Sequence, residues 1–356
     1  MATLTAPVKV APSALVGHRL PSWALPATGA AAVALALAAK YGIGWDGWGT
    51  SFFAAAALFI ILLTVWSFTI EGKRRAKDRF ASTLIYASFV AAMVPLVLIL
   101  GFIVVKGIGA LDLNFLSHSM NGVSTRAEGG GVYAAMLGTL EQVGLASVIA
   151  LPIGVLTAIY LVEYGKGRFA KTVTFFVDVM TGVPSIVAGL FVFTFLLLGF
   201  GLRPFGIAGA IALAILMIPV AVRSSEEMLK LVPRELRESS YALGVPKWRT
   251  ILKVVLPTAL SGLITSALLA IARVAGETAP LILLVGYTAR INADLFSGDQ
   301  ATLPMLIWDQ LGKRGGSVTE FTIERAWGAA LVLVLLVLLL NLIARLIARL
   351  TRPKSH

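Results

Sequence analysis

Eight long apolar stretches constrain this chain more than any other feature of its sequence. Each is close to the roughly 20 residues that an α-helix needs to cross a hydrocarbon core of about 30 Å. They are far longer than the short alternating strands of an outer-membrane barrel. The sequence therefore predicts an all-α integral membrane protein, a polytopic bundle of about eight transmembrane helices. The stretches run approximately over Pro21–Ala39, Gly49–Ile70, Ala81–Val105, Val132–Val162, Thr172–Phe200, Phe205–Val222, Ala259–Tyr287 and Trp327–Ala344.

The composition excludes several functions. Of the 356 residues, 58% are hydrophobic and 13% are charged, whereas soluble domains are roughly 45–50% apolar and about 25% charged. A soluble enzyme, a disordered chain and a nucleic-acid-binding domain are therefore excluded. The absence of Cys excludes disulfides, thiolate metal sites and a Cys nucleophile. The three histidines, His18, His118 and His356, are scattered, and no metal site is expected.

The basic residues predict the orientation in the membrane. The excess of 30 Lys and Arg over 18 Asp and Glu gives a net charge of +12. With the eight stretches as spans, 21 of the basic residues fall on one side and eight on the other, while Arg273 lies within a span. Because Lys and Arg accumulate on the cytoplasmic side, both termini are expected in the cytoplasm. The first stretch ends in small residues, as a signal peptide does, but its leader Met1–Leu20 is long for one.

The cytoplasmic segment before the seventh stretch shows helix signals. Ser224 and Glu227 have the spacing of a capping box, which predicts that a helix starts there. Pro233 suits the first turn of another helix. Gly244 can adopt the left-handed conformation that ends that helix, and Pro246 can open the next. The segment therefore predicts two short helices that meet at a glycine corner. Such an element either lies on lipid headgroups or docks a cytoplasmic protein.

A spaced motif in this segment favours docking. Glu238-Ser239-Ser240, three further residues, Gly244, nine residues and Val254-x-Leu256-Pro257 resemble the EAA loop of ABC importer permeases. The two serines replace alanines of that pattern, and Val254 replaces isoleucine. The resemblance implies that both helices fit a groove on an ATP-hydrolysing subunit. The coupling residues that it implies are Glu238, Ser239, Ser240, Gly244, Pro246, Leu256 and Pro257.

Other segments resemble the permeases of phosphate ABC importers, and the GETAP sequence within Ala272–Leu284 is similar to the PstA half of the PstA/PstC pair. The resemblance implies a permease domain over 81–345, with a six-helix type I core at about 132–344 and a coupling loop at 223–257. Residues 1–80 form an N-terminal tail and two additional helices of unassigned role, and 346–356 form a cytoplasmic tail. The remaining similar segments are Ile159–Tyr164, Thr181–Phe191, Val222–Pro233 and Asn341–Arg345.

Arg273 is the most unusual charged residue, since it lies about 14 residues, or roughly 21 Å, into the seventh stretch. An arginine near the middle of a bilayer costs at least about 2.5 kcal/mol, so it must face protein or water. Glu277, four residues later, could pair with it on one helical face. The two form either a structural ion pair or part of an anion path, because a guanidinium matches phosphate oxygens.

Arg223 and Glu226 form a second such pair at the inner end of the sixth stretch, where basic residues are common for topological reasons alone. The resemblance implies that Arg223, Glu226, Arg273 and Glu277 belong to the translocation path. Asp178 and Glu141 could pair with basic residues of a partner subunit or stay protonated, and no function is assigned to them. Thr181-Gly-Val-Pro184 predicts a bend in the fifth helix.

The chain has no G-x-x-x-x-G-K-[ST] loop, so it is expected to be a transport subunit and not an enzyme. The resemblance implies phosphate import across a bacterial cell membrane, together with membrane lipid, a PstC-type permease, a PstB-type ATPase dimer and a PstS-type phosphate-binding protein. ATP and Mg would bind the ATPase, and this chain would hold no cofactor. The alternatives are a permease for another oxyanion, such as molybdate or sulfate, an ion-coupled secondary transporter, and a membrane enzyme, which only the buried charges favour.

Overall fold

The helices of the chain are long and apolar enough to cross a membrane several times. The computed structural model describes residues 19–44, 47–312 and 318–350, and no β-strand occurs among them. Seven of the described helices meet the length and hydropathy of a span, and a bent helix pair makes up to eight. The predicted all-α bundle of about eight transmembrane helices is therefore confirmed. Residues 1–18, the tail beyond residue 350, and Lys313 and Arg314 of the orientation count lie outside the described residues.

The first of two compact units comprises residues 1–100. It contains α1 (Ala24–Ile43), α2 (Trp48–Glu71) and most of α3 (Lys73–Gly107). Glu71 connects these helices, because its carboxylate accepts hydrogen bonds from Ser67, from the Leu20 amide and from the Arg79 guanidinium at 2.6 and 2.9 Å. The side chain is 2% exposed, and a buried carboxylate needs such partners. This unit extends to residue 100, past residue 81, where the permease domain is predicted to start.

The second unit comprises residues 101–356. Its long helices are joined by short ones, and three helical runs include π-helical turns, at Tyr160–Tyr164, Phe193–Leu198 and Ile251–Val255. The helices are α4 (Leu113–Ser117), α5 (Tyr133–Ile159), α6 (Gly167–Thr181), α7 (Ser185–Val192), α8 (Gly206–Lys230), α9 (Arg234–Ala242), α10 (Lys247–Thr250), α11 (Leu256–Ala275), α12 (Ala279–Leu284), α13 (Leu303–Gly312) and α14 (Glu320–Leu350).

Small residues bring α5 and α8 together in the centre of this unit. A Cβ atom added at Gly154 of α5 would lie 2.6 Å from the Cβ of Ala221 in α8. Ala146 and Ala150 of α5 are fully buried, as is Ala212 of α8. Lipid tails are as apolar as these side chains, so close van der Waals packing holds such helices together. Helix α8, which ends closest to α9, is thus firmly packed against α5.

The fifth predicted span is bent, as the sequence indicated. The helices Gly167–Thr181 and Ser185–Leu198 meet at 104°. The break falls at Gly182–Pro184, where Pro184 has no amide hydrogen to continue the helical hydrogen bonds. The bend predicted at Thr181–Pro184 is therefore confirmed.

Three predicted helix boundaries are also wrong. No helix starts at Ser224, because α8 continues to Lys230 and the Ser224 hydroxyl donates to the Val220 carbonyl at 2.6 Å inside it. The seventh span begins at Lys247 and ends at Ala275, well before Tyr287. The segment between α12 and α14 contains the partly buried helix α13, which the sequence analysis did not predict. Tertiary packing decides such ends, so local signals alone misplace them.

Candidate functional site

The segment Pro233–Thr250 forms the coupling element, two short helices joined by a turn. Pro233 precedes α9 at its N-cap, and Glu235 lies in the first turn, where a negative charge is favourable. Pro246 is the N-cap of α10. The predicted pair of short helices is confirmed, with one difference. Because α10 continues through Ile251–Val255 into α11, the second short helix is the first part of a candidate membrane span.

Gly244 makes the corner between α9 and α10. Its φ angle is +73°, in the left-handed region that favours glycine. Its amide donates to the Tyr241 carbonyl at 2.9 Å, and the Val245 amide donates to the Ser240 carbonyl at 3.2 Å. No atom lies within 4 Å of a Cβ added at this position. The predicted left-handed glycine is confirmed, and its backbone angle alone accounts for the residue.

A hydroxyl pair connects the two helices across the corner. The hydroxyls of Ser240 and Thr250 lie 2.8 Å apart and are both buried. Glu238 and Ser239, earlier in the motif, are exposed, whereas Leu256 and Pro257 are half-buried in the first turn of α11. The motif therefore divides into residues that hold the corner and residues that face outward.

Large apolar side chains are exposed in the coupling element and just after it. Leu243, next to the corner, is 82% exposed, and Trp248 and Leu252 are each 55% exposed. Basic side chains are exposed in the same stretch of the chain, at Arg234, Arg249 and Lys253. An apolar patch with a polar rim is typical of a protein–protein contact surface. The element has the shape and chemistry of a docking surface.

Glu163 fastens the coupling element to the end of α5. Its Oε1 atom accepts hydrogen bonds from Arg237 Nε at 2.9 Å and Nη2 at 2.8 Å, and the two side chains are 5% and 14% exposed. Lys247 of α10 donates to the Glu163 backbone carbonyl. Its ammonium also lies 4.7 Å from the centroid of the Tyr164 ring, within cation–π range.

Arg223 stands at the centre of a charge network between α6 and α8. Its Nη1 donates to Glu226 at 2.6 Å, and its Nη2 donates to Asp178 and, at 3.3 Å, to the Thr174 carbonyl. Lys230 donates to the other oxygen of Glu226 at 2.7 Å. The expected contact between Arg223 and Glu226 is confirmed. Asp178 pairs within its own chain, so it needs no basic partner from another subunit.

The structure separates Arg273 from Glu277. Arg273 lies in the last turn of α11, and the helix ends at Ala275 before Glu277 is reached. Because this helical run starts at Lys247, Arg273 lies about 40 Å along it and not near its middle. Neither residue forms an ion pair with another described residue. Arg273 is exposed, and Glu277 is half-buried.

Glu141, the other acidic residue that the sequence analysis left without a function, lies in a polar cluster. It accepts a hydrogen bond from Gln300 Nε2 at 3.0 Å, and Gln300 Oε1 accepts one from Gln142 at 3.0 Å. Both glutamines are fully buried. Glu141 therefore has a hydrogen-bond partner within its own chain. Its carboxyl does not have to be protonated to find one.

The sequence analysis missed the roles of Glu163 and Asp178 because their partners are distant in sequence. Arg237 follows Glu163 by 74 residues, and Arg223 follows Asp178 by 45. No helical spacing rule links residues so far apart. The available signal was the presence of each carboxylate inside an apolar run, where a charge requires a partner.

Comparison with known proteins identifies the family. The family described as "Binding-protein-dependent transport system inner membrane component" matches residues 150–355, more than half of the chain. The "Phosphate transport system permease protein PstA 1" of Mycobacterium tuberculosis (strain CDC 1551 / Oshkosh) is 49% identical over 266 residues. That alignment covers 74% of this chain and 86% of the relative. The "Phosphate transport system permease protein PstA" of Yersinia pestis is 41% identical over 266 residues, which cover 74% of this chain and 87% of the relative.

A solved structure supports the fold. A chain of a bacterial alginate ABC transporter, in complex with an alginate pentasaccharide-bound periplasmic protein, aligns with a TM-score of 0.53 at 17% identity. The alignment covers 80% of this chain and all of that one. At this identity the likeness concerns the fold alone. Together with the coupling element and the membrane spans, these findings identify a multi-pass membrane subunit, and the chain belongs to the PstA-type permeases of ABC transporters.

Proposed function

We propose that this chain carries phosphate across a bacterial cell membrane as one of two permeases in an ATP-driven importer. The coupling element Pro233–Thr250 is the observation that carries the proposal. It presents an exposed apolar face on a corner braced by Gly244 and the Ser240–Thr250 hydroxyl pair. The sequence has no nucleotide-binding loop of its own. A surface of this kind suits a permease that receives its energy from a separate ATPase.

The proposed partners follow from this division of labour. A PstB-type ATPase dimer binds ATP and Mg and docks on the coupling element. A PstC-type permease completes the path, and a PstS-type phosphate-binding protein delivers phosphate to the opposite side. The names of the 49% and 41% identical relatives support phosphate as the cargo. The basic residues near the coupling element support a cytoplasmic location for it and for both termini.

We infer that Arg273 and Glu277 face the translocation path in the assembled importer. Arg273 is exposed on this chain and has no ion-pair partner among the described residues. Because it lies about 40 Å along the helical run that starts at Lys247, near the end of that run, water or a partner subunit can reach its guanidinium. Its guanidinium then offers donors to a passing phosphate. The position of Arg273 in a last helical turn also has a purely structural explanation, because a cation is favourable there.

Arg223 and Glu226 are proposed to act at the cytoplasmic end of the same path. Arg223 is engaged by Asp178 and Glu226, so a passing anion must compete with these carboxylates. Such competition keeps anion binding weak, which suits release into the cytoplasm. In alternating access, ATP binding would draw the coupling elements of the two permeases together and turn the path outward, and hydrolysis would restore the inward state.

The assembly itself tests the proposal. A tag on this chain should copurify a homologous permease and an ATPase from native membranes, and a phosphate-binding protein should join when phosphate is present. The rate of labelled-phosphate uptake by the purified assembly in vesicles should not fall when sulfate or molybdate is added in excess. A chain that purifies without any ATPase, or uptake that sulfate or molybdate suppresses as strongly as unlabelled phosphate does, contradicts the proposal.

A further inference from the structure

The end of α5 and the coupling element are joined through one carboxylate, Glu163. The residue lies in the π-helical turn Tyr160–Tyr164 that follows α5. Its side chain is 5% exposed and meets Arg237 of α9. Its backbone carbonyl meets Lys247 of α10. Glu163 therefore contacts the coupling element on both sides of the Gly244 corner.

Arg237 extends this connection to α8. Its Nη2 donates to the Leu229 carbonyl at 3.0 Å, and its Nη1 donates to the Val232 carbonyl at 2.7 Å. The Leu229 carbonyl belongs to the last turn of α8, where backbone acceptors lack helical partners, and Val232 follows two residues after that helix ends. A single guanidinium thus joins α9, the end of α8 and the end of α5.

The three core helices differ in how they are attached to the coupling element. The chain itself connects α8 to α9 through residues 231–233, and α10 runs on into α11. A movement of the coupling element therefore reaches α8 and α11 through covalent bonds. In contrast, α5 is attached to the coupling element only by noncovalent contacts, and among the described residues the ion pair of this attachment is the one between Glu163 and Arg237. Behind it, Ala158 packs with Leu229 and Val255 in an apolar cluster, which cannot resist sliding as a directional charged contact does.

We propose that Glu163 is a positioning residue for energy coupling, which makes α5 follow the coupling element when an ATPase moves it. Its carboxylate accepts hydrogen bonds from Arg237, and its carbonyl accepts one from Lys247. Rotation of either short helix therefore pulls on the end of α5. Without Glu163, ATP hydrolysis continues but drives less transport.

This role presupposes the ATP-driven transport proposed above, so the test measures two quantities on the complete assembly in vesicles. One is the rate of ATP hydrolysis, and the other is the amount of phosphate moved per ATP. Glu163→Gln keeps the size of the side chain and removes its charge, which weakens the bonds from Arg237. We expect a several-fold fall in phosphate moved per ATP, with hydrolysis retained.

Matched variants separate coupling from folding. Lys166 and Glu163 line one cavity of about 940 Å³, and Lys166 is exposed, so Lys166→Gln removes one charge nearby and should leave the ratio unchanged. Arg237→Gln should lower the ratio, and combining it with Glu163→Gln should lower it no further, because the two residues act through one contact. A residue that only stabilises the fold would reduce the amount of assembly and leave phosphate moved per ATP unchanged.

The outcomes are distinguishable. If the unmodified assembly moves no phosphate with ATP, the proposed function fails. If the unmodified assembly moves phosphate with ATP but Glu163→Gln has a normal ratio of phosphate to ATP, the proposed role of Glu163 is wrong. The role is also wrong if Glu163→Gln and Arg237→Gln lower the ratio additively. If Glu163→Gln fails to assemble, Glu163→Asp decides, since it keeps the charge and shortens the reach. A lowered ratio in that variant supports the role, and a normal ratio overturns it.

Discussion

Arg273 and Arg223 show how differently one residue type can be placed within a membrane chain. Arg223 is held by two carboxylates and a carbonyl, so its charge is largely compensated inside the chain. Arg273 is exposed, and none of the described side chains forms an ion pair with it. A compensated guanidinium stabilises helix packing, whereas an uncompensated one remains available to another molecule. The proposed path residues are therefore not equivalent.

We expect Arg273→Gln to abolish phosphate uptake, because the amide cannot supply a positive charge to the anion. The variant should still insert and assemble, since no ion pair of the described residues depends on Arg273. Uptake of labelled phosphate and the subunit composition of the purified assembly measure the two effects. Arg290→Gln, which removes another exposed arginine from the outer segment, serves as the control and should transport normally. Normal uptake by Arg273→Gln would make this residue structural only.

At the scale of elements, the corner at Gly244 could be predicted from the sequence, whereas the helix ends and contacts around it could not. The glycine corner follows a local pattern, so the sequence predicted its left-handed backbone. The helix ends around it depend on tertiary contacts, and the capping-box spacing of Ser224 and Glu227 gave a wrong start because α8 simply continues. The Glu163–Arg237 contact could not be predicted, since it joins residues 74 positions apart.

Substitution of Gly244 should act through its backbone angle. A β-branched residue is strained at a φ of +73° by about 1–2 kcal/mol, whereas Asn tolerates this region. Since no atom lies within 4 Å of an added Cβ, steric clash does not contribute. We expect Gly244→Val to reduce the amount of copurifying ATPase and Gly244→Asn to preserve most of it. Equal recovery with both variants would show that the left-handed corner is not needed for docking.

Two glycines of α5 provide a matched test of helix packing. A Cβ at Gly154 would meet the Ala221 Cβ at 2.6 Å, whereas a Cβ at Gly144 would meet nothing within 4 Å. Gly154→Ala should therefore lower the thermal midpoint in detergent, by an amount that corresponds to about 1–3 kcal/mol of overpacking. Gly144→Ala should be neutral or slightly stabilising. A similar midpoint for the two variants would contradict the close crossing of α5 and α8.

For the whole molecule, hydropathy and charge placement were the informative sequence features. Long apolar stretches predicted the number of helices because a bilayer demands a minimum length. They did not predict the size of the 104° bend, the extension of the seventh span to Lys247, or the partly buried helix α13. These features depend on which neighbour each helix meets. The charge pattern also predicts an orientation that accessibility measurements can check.

The chain has no native cysteine, so single cysteines report its topology cleanly. Asn121 and Arg168 are exposed residues in segments predicted to face opposite sides. A thiol reagent that does not cross the cell membrane should label Asn121→Cys in intact cells and Arg168→Cys only after permeabilisation. The reverse labelling pattern would contradict cytoplasmic termini and a cytoplasmic coupling element.

Accumulation of phosphate by reconstituted vesicles tests the central claim most directly. The complete assembly is supplied with ATP on the side of the coupling element and with binding protein and labelled phosphate on the other. We expect phosphate to move toward the ATP side against its gradient, only while ATP is hydrolysed, and to continue when ionophores collapse ion gradients. Vesicles that accumulate no phosphate with ATP, or that stop as soon as the ion gradients collapse, would contradict an ATP-driven permease.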